Sequence, residues 1–298
     1  MTTAFSIQNL VKTYPDFKLG PLNFDLAPGT VLGYVGPNGS GKSTTLHCLV
    51  GLVKADSGEM QIFSRRNDPN KPEWKLDIGY VGDVHVFYEN WSGEKNLKFL
   101  SQFYPNWSDP LVADLAKRFN LSLNKKAKEL SGGNRVKLAL IAALAHSPKL
   151  LLLDEPTSGL DPVVRAEVLE VLFEILEDGE RAIFYSTHIL SDISRLADEL
   201  AFLDNGRIKL RAAKEDLTEQ WRKISFRFSG NNFKLEAMTS HKHEGMDHQV
   251  ISFNHDVTLR QLGEMGAENV QAYRMGIDEI AVQILKGGEN KEEKCGDY

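Results

Sequence analysis

The chain has 298 residues, 42% hydrophobic and 26% charged, an ordinary globular profile with length for one large domain or a large and a small one. A formal net charge of -6 without a strongly basic segment argues against a general nucleic-acid binder, because phosphate neutralisation demands a basic surplus. No apolar run approaches the ~20 residues that span a bilayer, MTTAFSIQNL lacks the basic start of a signal peptide, and Cys48 and Cys295 match no disulfide or metal spacing, which points to a reducing compartment.

Within residues 5–35, FSIQNLV, GPLNFDL and TVLGYV read as short strands. The third runs directly into GPNGSGKSTT, and TLHCLVGLV continues as a helix closed by glycines. A second helical pattern covers Pro110–Phe119. LSGGNRVKLAL opens a further helix with Ser131 as N-cap; its continuation VKLALIAALAH is apolar almost all round, as in a buried helix, and ends at Ser147-Pro148. LLLLD, residues 150–154, is a continuous apolar run of the kind found in central parallel strands. Residues 163–177 place Val164, Val168, Val171, Leu172 and Ile175 on one helical face, with a stop at Asp178-Gly179. AIFYST supplies another buried strand, and FLDNGRIKL is a hairpin turning at Asn205-Gly206.

This alternation predicts an α/β domain over 1–213 with a mixed, mainly parallel sheet. Beyond it, ISFRF and QVISF alternate as strands, while TLRQLGEMGA and DEIAVQIL read as helices. They predict a small α+β accessory unit over 214–287, with a charged tail, 288–298, after it. HKHEGMDHQ, with His241, His243 and His248, reads as a solvated loop rather than a metal site, being polar and without cysteine.

The chemistry concentrates in two stretches. GPNGSGKST matches G-x-x-x-x-G-K-[ST] at Gly36, Gly41, Lys42 and Ser43, between a strand and a helix; Asn38, Gly39, Ser40 and Thr44 complete the loop. Such a loop turns backbone N–H groups toward phosphates, Lys42 reaches the β and γ oxygens, and Ser43 ligates Mg²⁺. In LLLLDEPTSGLD, Asp154 at a strand end suits the Mg²⁺ shell, and the adjacent Glu155 is placed to orient and deprotonate a water.

Taken in order, GPNGSGKST, LSGGN, LLLLDEPTSGLDP and STH resemble the ATP-binding subunit of an ABC transporter, over roughly residues 5–210. FYENWSGEKNL, FYPNWSD and LNKKAKELSGGN are similar to bacterial ATPase subunits that serve exporter-type permeases. The resemblance implies a P-loop NTPase fold of ABC ATPase type, a helical subdomain at about 84–147, and hydrolysis of ATP with Mg²⁺. It also implies head-to-tail pairing with a second ATP-binding subunit, as a homo- or heterodimer. In that pairing Ser131, Gly132 and Gly133 meet the γ-phosphate held by the opposite subunit's P-loop. By the same resemblance, His188 bonds the γ-phosphate, Tyr14 stacks on adenine, and Asp161 relays the state of one site to the other. An integral-membrane permease, a separate chain, docks through residues 84–107, where Trp91 and Trp107 lie, and holds the subunit peripherally on the cytoplasmic face of the membrane.

Three positions depart from the family pattern. Asn134 replaces a glutamine, Gly159 replaces an alanine, and Asp83 in IGYVGDVHVFYEN stands where glutamine is usual, either as a magnesium ligand or as a surface loop residue. The alternative function is a soluble ABC-type ATPase acting on nucleic acid or the ribosome. Translation factors of that kind carry two ATPase halves, and DNA-repair relatives carry coiled coils or zinc motifs. The sequence has neither, so no nucleic-acid partner is expected.

Overall fold

The computed structural model describes residues 3–68, 70–83, 86–176, 181–230 and 233–286. The expected helix stop at Asp178-Gly179, Cys295, the tail 288–298, and residues 84 and 85 of the expected docking segment lie outside the described residues. The chain divides into two compact units, residues 1–197 with 203–208, and residues 198–202 with 209–298.

In chain order the first unit begins with the antiparallel pair β1 (Phe5–Tyr14) and β2 (Phe17–Leu26), then β3 (Val31–Val35) and α1 (Lys42–Leu49). Next are β4 (Ser57–Ile62), β5 (Arg65–Arg66), β6 (Ile78–Val81), α2 (Gly93–Leu100), α3 (Asp109–Arg118) and α4 (Gly132–Leu144). Then come β7 (Leu150–Asp154), α5 (Pro162–Leu176), β8 (Ala182–Thr187) and α6 (Leu190–Leu196); the hairpin β9 (Glu199–Asp204) and β10 (Arg207–Ala213) follows and is divided between the two units. One sheet has the order β2-β1-β4-β5 and the other β10-β9-β3-β8-β7-β6.

Every residue of VLGYV, LLLLD and AIFYST is buried. Parallel strands covered on both faces have no solvent side to alternate toward, so their apolar runs are unbroken. β3 pairs with β8, β8 with β7 and β7 with β6, all parallel, in the registers Val35↔Thr187 and Asp154↔Ser186. This register gathers the loop after Val35, the acids after Leu153 and the segment after Thr187 at one sheet end, where ligands bind in α/β folds. Asn205 and Gly206 both take positive φ (45° and 73°), the geometry a two-residue hairpin turn requires. α4 starts on Ser131, whose hydroxyl accepts the Asn134 N–H at 3.3 Å.

The second unit continues through α7 (Lys214–Gln220), β11 (Arg222–Arg227), β12 (Met238–Glu244), β13 (Asp247–Ser252), α8 (His255–Glu264), β14 (Glu268–Arg274) and α9 (Ile277–Lys286). Its antiparallel sheet runs β12-β13-β11-β14 around Ile224, Phe226, Leu235, Val250 and Leu262. The solvated-loop reading of HKHEGMDHQ needs correction, because the stretch forms the β12–β13 hairpin and His248 is buried. Imidazoles replace the aliphatic signal of a strand here. His248 lies opposite His243, its ring is 5.3 Å from that of Phe226, and its Nδ1 is 2.9 Å from Nε2 of His241.

Candidate nucleotide-binding site

The loop between β3 and α1 is shaped by two glycines. Gly41 holds φ at +108°, where an L side chain is strained, and a Cβ on Gly36 would lie 2.2 Å from the carbonyl oxygen of Leu203. The start of α1 receives no side-chain cap, which leaves its first amides to an external acceptor. Lys42, almost wholly buried, donates from Nζ to the carbonyls of Gly36 at 2.8 Å and Pro37 at 3.2 Å, and lies 3.2 Å from Glu155 Oε1.

Asp154 closes β7 with no exposure to solvent. Its Oδ1 accepts from the Ser186 hydroxyl at 2.5 Å, whereas Oδ2 is buried without a hydrogen-bond partner among the described residues. Burial pushes this carboxyl above the usual carboxylate range, hydrogen bonds from Ser186 and Ser43 pull it back, and nearby Asp83 raises it. Tyr80 in β6 is displaced upward by burial, Asp154 and Asp83, so these acids share one electrostatic neighbourhood.

Glu155 also takes a positive φ, 50°, and its N–H donates to Ser186 O at 3.0 Å. Its Oε2 accepts from the backbone N–H of His188 at 3.3 Å and from His188 Nδ1 at 2.8 Å. An ionised carboxylate only accepts, so Nδ1 of His188 carries the proton.

These groups open onto a cavity of about 800 Å³. Of the residues singled out in the sequence, Tyr14, Asn38, Gly39, Gly41, Lys42, Ser43, Thr44, Asp83, Glu155 and His188 line it. Gly36, Ser40 and Asp154 are buried and do not line it, and the Ser40 hydroxyl has no hydrogen-bond partner among the described residues. Ser131, Gly132, Gly133 and Asp161 are not part of the wall. Ser131 and Gly132 are exposed, and Asp161 caps α5 by accepting the N–H groups of Val163 and Val164 at 3.0 and 3.1 Å. Sequence reasoning missed Asp16, Phe17, Val136 and Ser158, which complete the wall. Asp16 and Phe17 arrive through the Tyr14↔Phe17 pairing of β1 and β2, and only the tight turn after Tyr14 hinted at it.

The family described as ABC transporter matches residues 19–158. Over the full length, the chain is 30% identical to the bacitracin transport ATP-binding protein BcrA of Bacillus licheniformis, covering 100% of this chain and 96% of that one. The chain belongs to the ATP-binding proteins of ABC transporters. It is also 31% identical to the Nod factor export ATP-binding protein I of Cupriavidus metallidurans, over 70% of each chain. Among solved structures, one described as the ATP-binding subunit of an ABC transporter superposes with a TM-score of 0.66 at 28% identity, over 73% of this chain and 92% of that one. This ABC protein therefore has an ABC ATPase fold and is an ATPase of a family that binds ATP.

The residues present also fit a divalent cation beside the P-loop. Asp154 Oδ2, a buried carboxylate oxygen with no hydrogen-bond partner among the described residues, is an atom that a cation would satisfy, and Ser43 and Asp83 are both near enough to shift the pKa of that carboxyl.

Proposed function

We propose that this ATPase drives export through a separate integral-membrane permease, working as one of two ATP-binding subunits that close over two MgATP. The relatives named for bacitracin transport and Nod factor export support the export reading over the nucleic-acid or ribosome alternative. One observation carries the two-subunit reading. The cavity gathers the P-loop, Glu155 and His188, while the glycine-bearing start of α4 at Ser131–Gly133 lies outside its wall and exposes Ser131 and Gly132. Helix starts of this kind hold anions, so a second chain's nucleotide is its natural occupant.

Within one site, ATP draws Lys42 from the Gly36 and Pro37 carbonyls and from Glu155 toward the β and γ oxygens. The first amides of α1 hold the phosphates. Ser43 and Asp154, with Asp83 beside them, would hold Mg²⁺, which when bound neutralises charge across the β- and γ-phosphates. Glu155, released from Lys42, orients a water and takes its proton. While His188 donates from Nδ1 to Glu155, it meets a phosphate oxygen through Nε2 only when that nitrogen also carries a proton. Loss of the γ-phosphate removes what the opposite Ser131–Gly133 segment binds, and the pair opens.

Among the described residues no helix is long and apolar enough to cross a membrane, so the membrane link is assigned to the permease. Support for docking comes from Val86, Tyr88 and Phe103, all exposed, and from the Tyr88–Trp91–Phe99 ring cluster beside α2. Trp107, by contrast, donates its indole N–H to Asp109 at 3.0 Å within the first turn of α3. Residues 1–213 act as the ATPase domain, and 214–287 as an accessory unit. The test is affinity purification of the tagged chain from solubilised membranes. A multi-span protein that co-purifies and stimulates ATP turnover is expected; recovery of ribosomes or RNA in its place overturns the reading.

A further inference from the structure

Behind the cavity lies a buried acid that the ATPase reading leaves without a task. Asp192, in α6 and four residues past His188, is 1% exposed. A lone ionised carboxylate is too costly to bury, and this one is met by donors on both oxygens. Oδ2 accepts from the Thr157 hydroxyl at 2.5 Å and from the Tyr185 hydroxyl at 3.3 Å. Oδ1 accepts from Arg165 Nε at 2.5 Å, and a terminal nitrogen of Arg165 reaches the same oxygen.

Each donor comes from a different piece of the site. Thr157 stands two residues past Glu155, in the turn after β7. Tyr185 is in β8, three residues before His188. Arg165 lies in the first turn of α5, where its N–H donates to the carbonyl of Asp161 at 3.0 Å. The carboxylate only accepts, so Thr157 gives it the hydroxyl proton, and the single Tyr185 hydroxyl proton is shared between Thr157 Oγ1 at 2.9 Å and Asp192 Oδ2 at 3.3 Å.

We propose that Asp192 is a positioning residue of this ATPase, tying the turn that carries Glu155, the segment that carries His188 and the Asp161 turn into one unit. Asp192 itself does not line the cavity and acts through Thr157. Glu155 occupies the left-handed region at φ 50°, an unfavourable conformation for a residue with a side chain. The turn immediately after Glu155 must hold it there. The Ser158 N–H to the Glu155 carbonyl, 3.1 Å, closes that turn, and the Thr157 hydroxyl moors it to Asp192. Without the mooring, Glu155 relaxes and its carboxylate leaves the 2.8 Å contact with His188 Nδ1.

This inference rests on the roles given to Glu155 and His188, and the experiment separates the two. Thr157→Val keeps the shape and deletes the hydroxyl; Thr157→Ser restores it; Asp192→Asn removes the charge; Glu155→Gln is the reference. Turnover is measured on the full chain with its membrane partner and divided by the number of ATP-binding sites titrated, so a misfolded fraction does not count. Thr157→Val and Asp192→Asn are expected to lower kcat about tenfold or more with KM for ATP within about twofold, and Thr157→Ser to recover most of the loss, as small displacements of reacting groups cost rate before binding. Thr157→Val at the parental kcat, Thr157→Ser as impaired as Thr157→Val, or Thr157→Val unable to bind ATP each overturns the positioning role. A Glu155→Gln variant with parental turnover overturns instead the role of Glu155 on which it rests.

Discussion

Glu155→Gln is expected to do two opposite things at once. In the structure Lys42 Nζ lies 3.2 Å from Glu155 Oε1, with the side chains 5% and 13% exposed. Unit charges at that distance attract by about 5 kcal/mol at an effective dielectric of 20. Most of that is offset by the desolvation of both groups, and a net gain of about 1.4 kcal/mol is in line with hydrogen bonds to charged groups. ATP must displace this contact before Lys42 can serve the phosphates. The variant should therefore bind ATP about tenfold more tightly while losing roughly 10²–10⁴ in turnover for want of a base. Titration calorimetry with MgATP gives the first quantity, and phosphate release gives the second. Binding no tighter than in the parent would show that Lys42 is not held back by Glu155. Parental turnover would remove Glu155 as the base.

Tyr14→Ala should weaken ATP binding about fivefold to a hundredfold, the range of base-stacking contributions, while Tyr14→Phe stays near the parent; equal loss in both variants would rule out stacking. Asp83→Ala should raise the Mg²⁺ concentration needed for half-maximal ATPase activity; an unchanged Mg²⁺ dependence makes Asp83 a loop residue. Asp154 titrates above the usual carboxylate range because it is buried, so the nucleotide-free fold binds more protons there than the unfolded chain does. The stability this confers is present at low pH and lost as pH rises through the raised value. Thermal denaturation of the nucleotide-free protein should show that decline, Asp154→Asn should flatten it, and the extra stability given by MgATP over ATP with chelator should vanish in the same variant.

The legible parts of this protein are those whose signal is contiguous. GPNGSGKST carries its own turn geometry and helix start, and LLLLD and AIFYST announce burial on both faces by never alternating. Asp16 and Phe17 carry no chemical motif of their own, and only the tight turn that pairs Tyr14 with Phe17 points to their place at the cavity. QVISF was legible as a strand and forms most of β13, but β12 and the hairpin that joins them were hidden for a different reason. It carries His241, His243 and His248, polar by composition, yet their rings lie 5.2 to 5.6 Å apart and His248 is buried against Phe226. Asp192 reads as one more surface acid of a helix until its donors, scattered from Thr157 to Tyr185, converge in space. Charge burial is a tertiary property, and no periodicity encodes it.

In the proposed function each ATP is enclosed by two chains, the P-loop of one and the Ser131–Gly133 segment of the other. Native mass spectrometry of Glu155→Gln in complex with its membrane partner tests it most directly. With saturating MgATP the account predicts two ATP-binding subunits per complex, each close to 33.4 kDa if both are this chain, with two nucleotides retained, and loss of those nucleotides when Gly133→Glu is added. A single ATP-binding subunit per complex, or full nucleotide retention in the Gly133→Glu form, contradicts it.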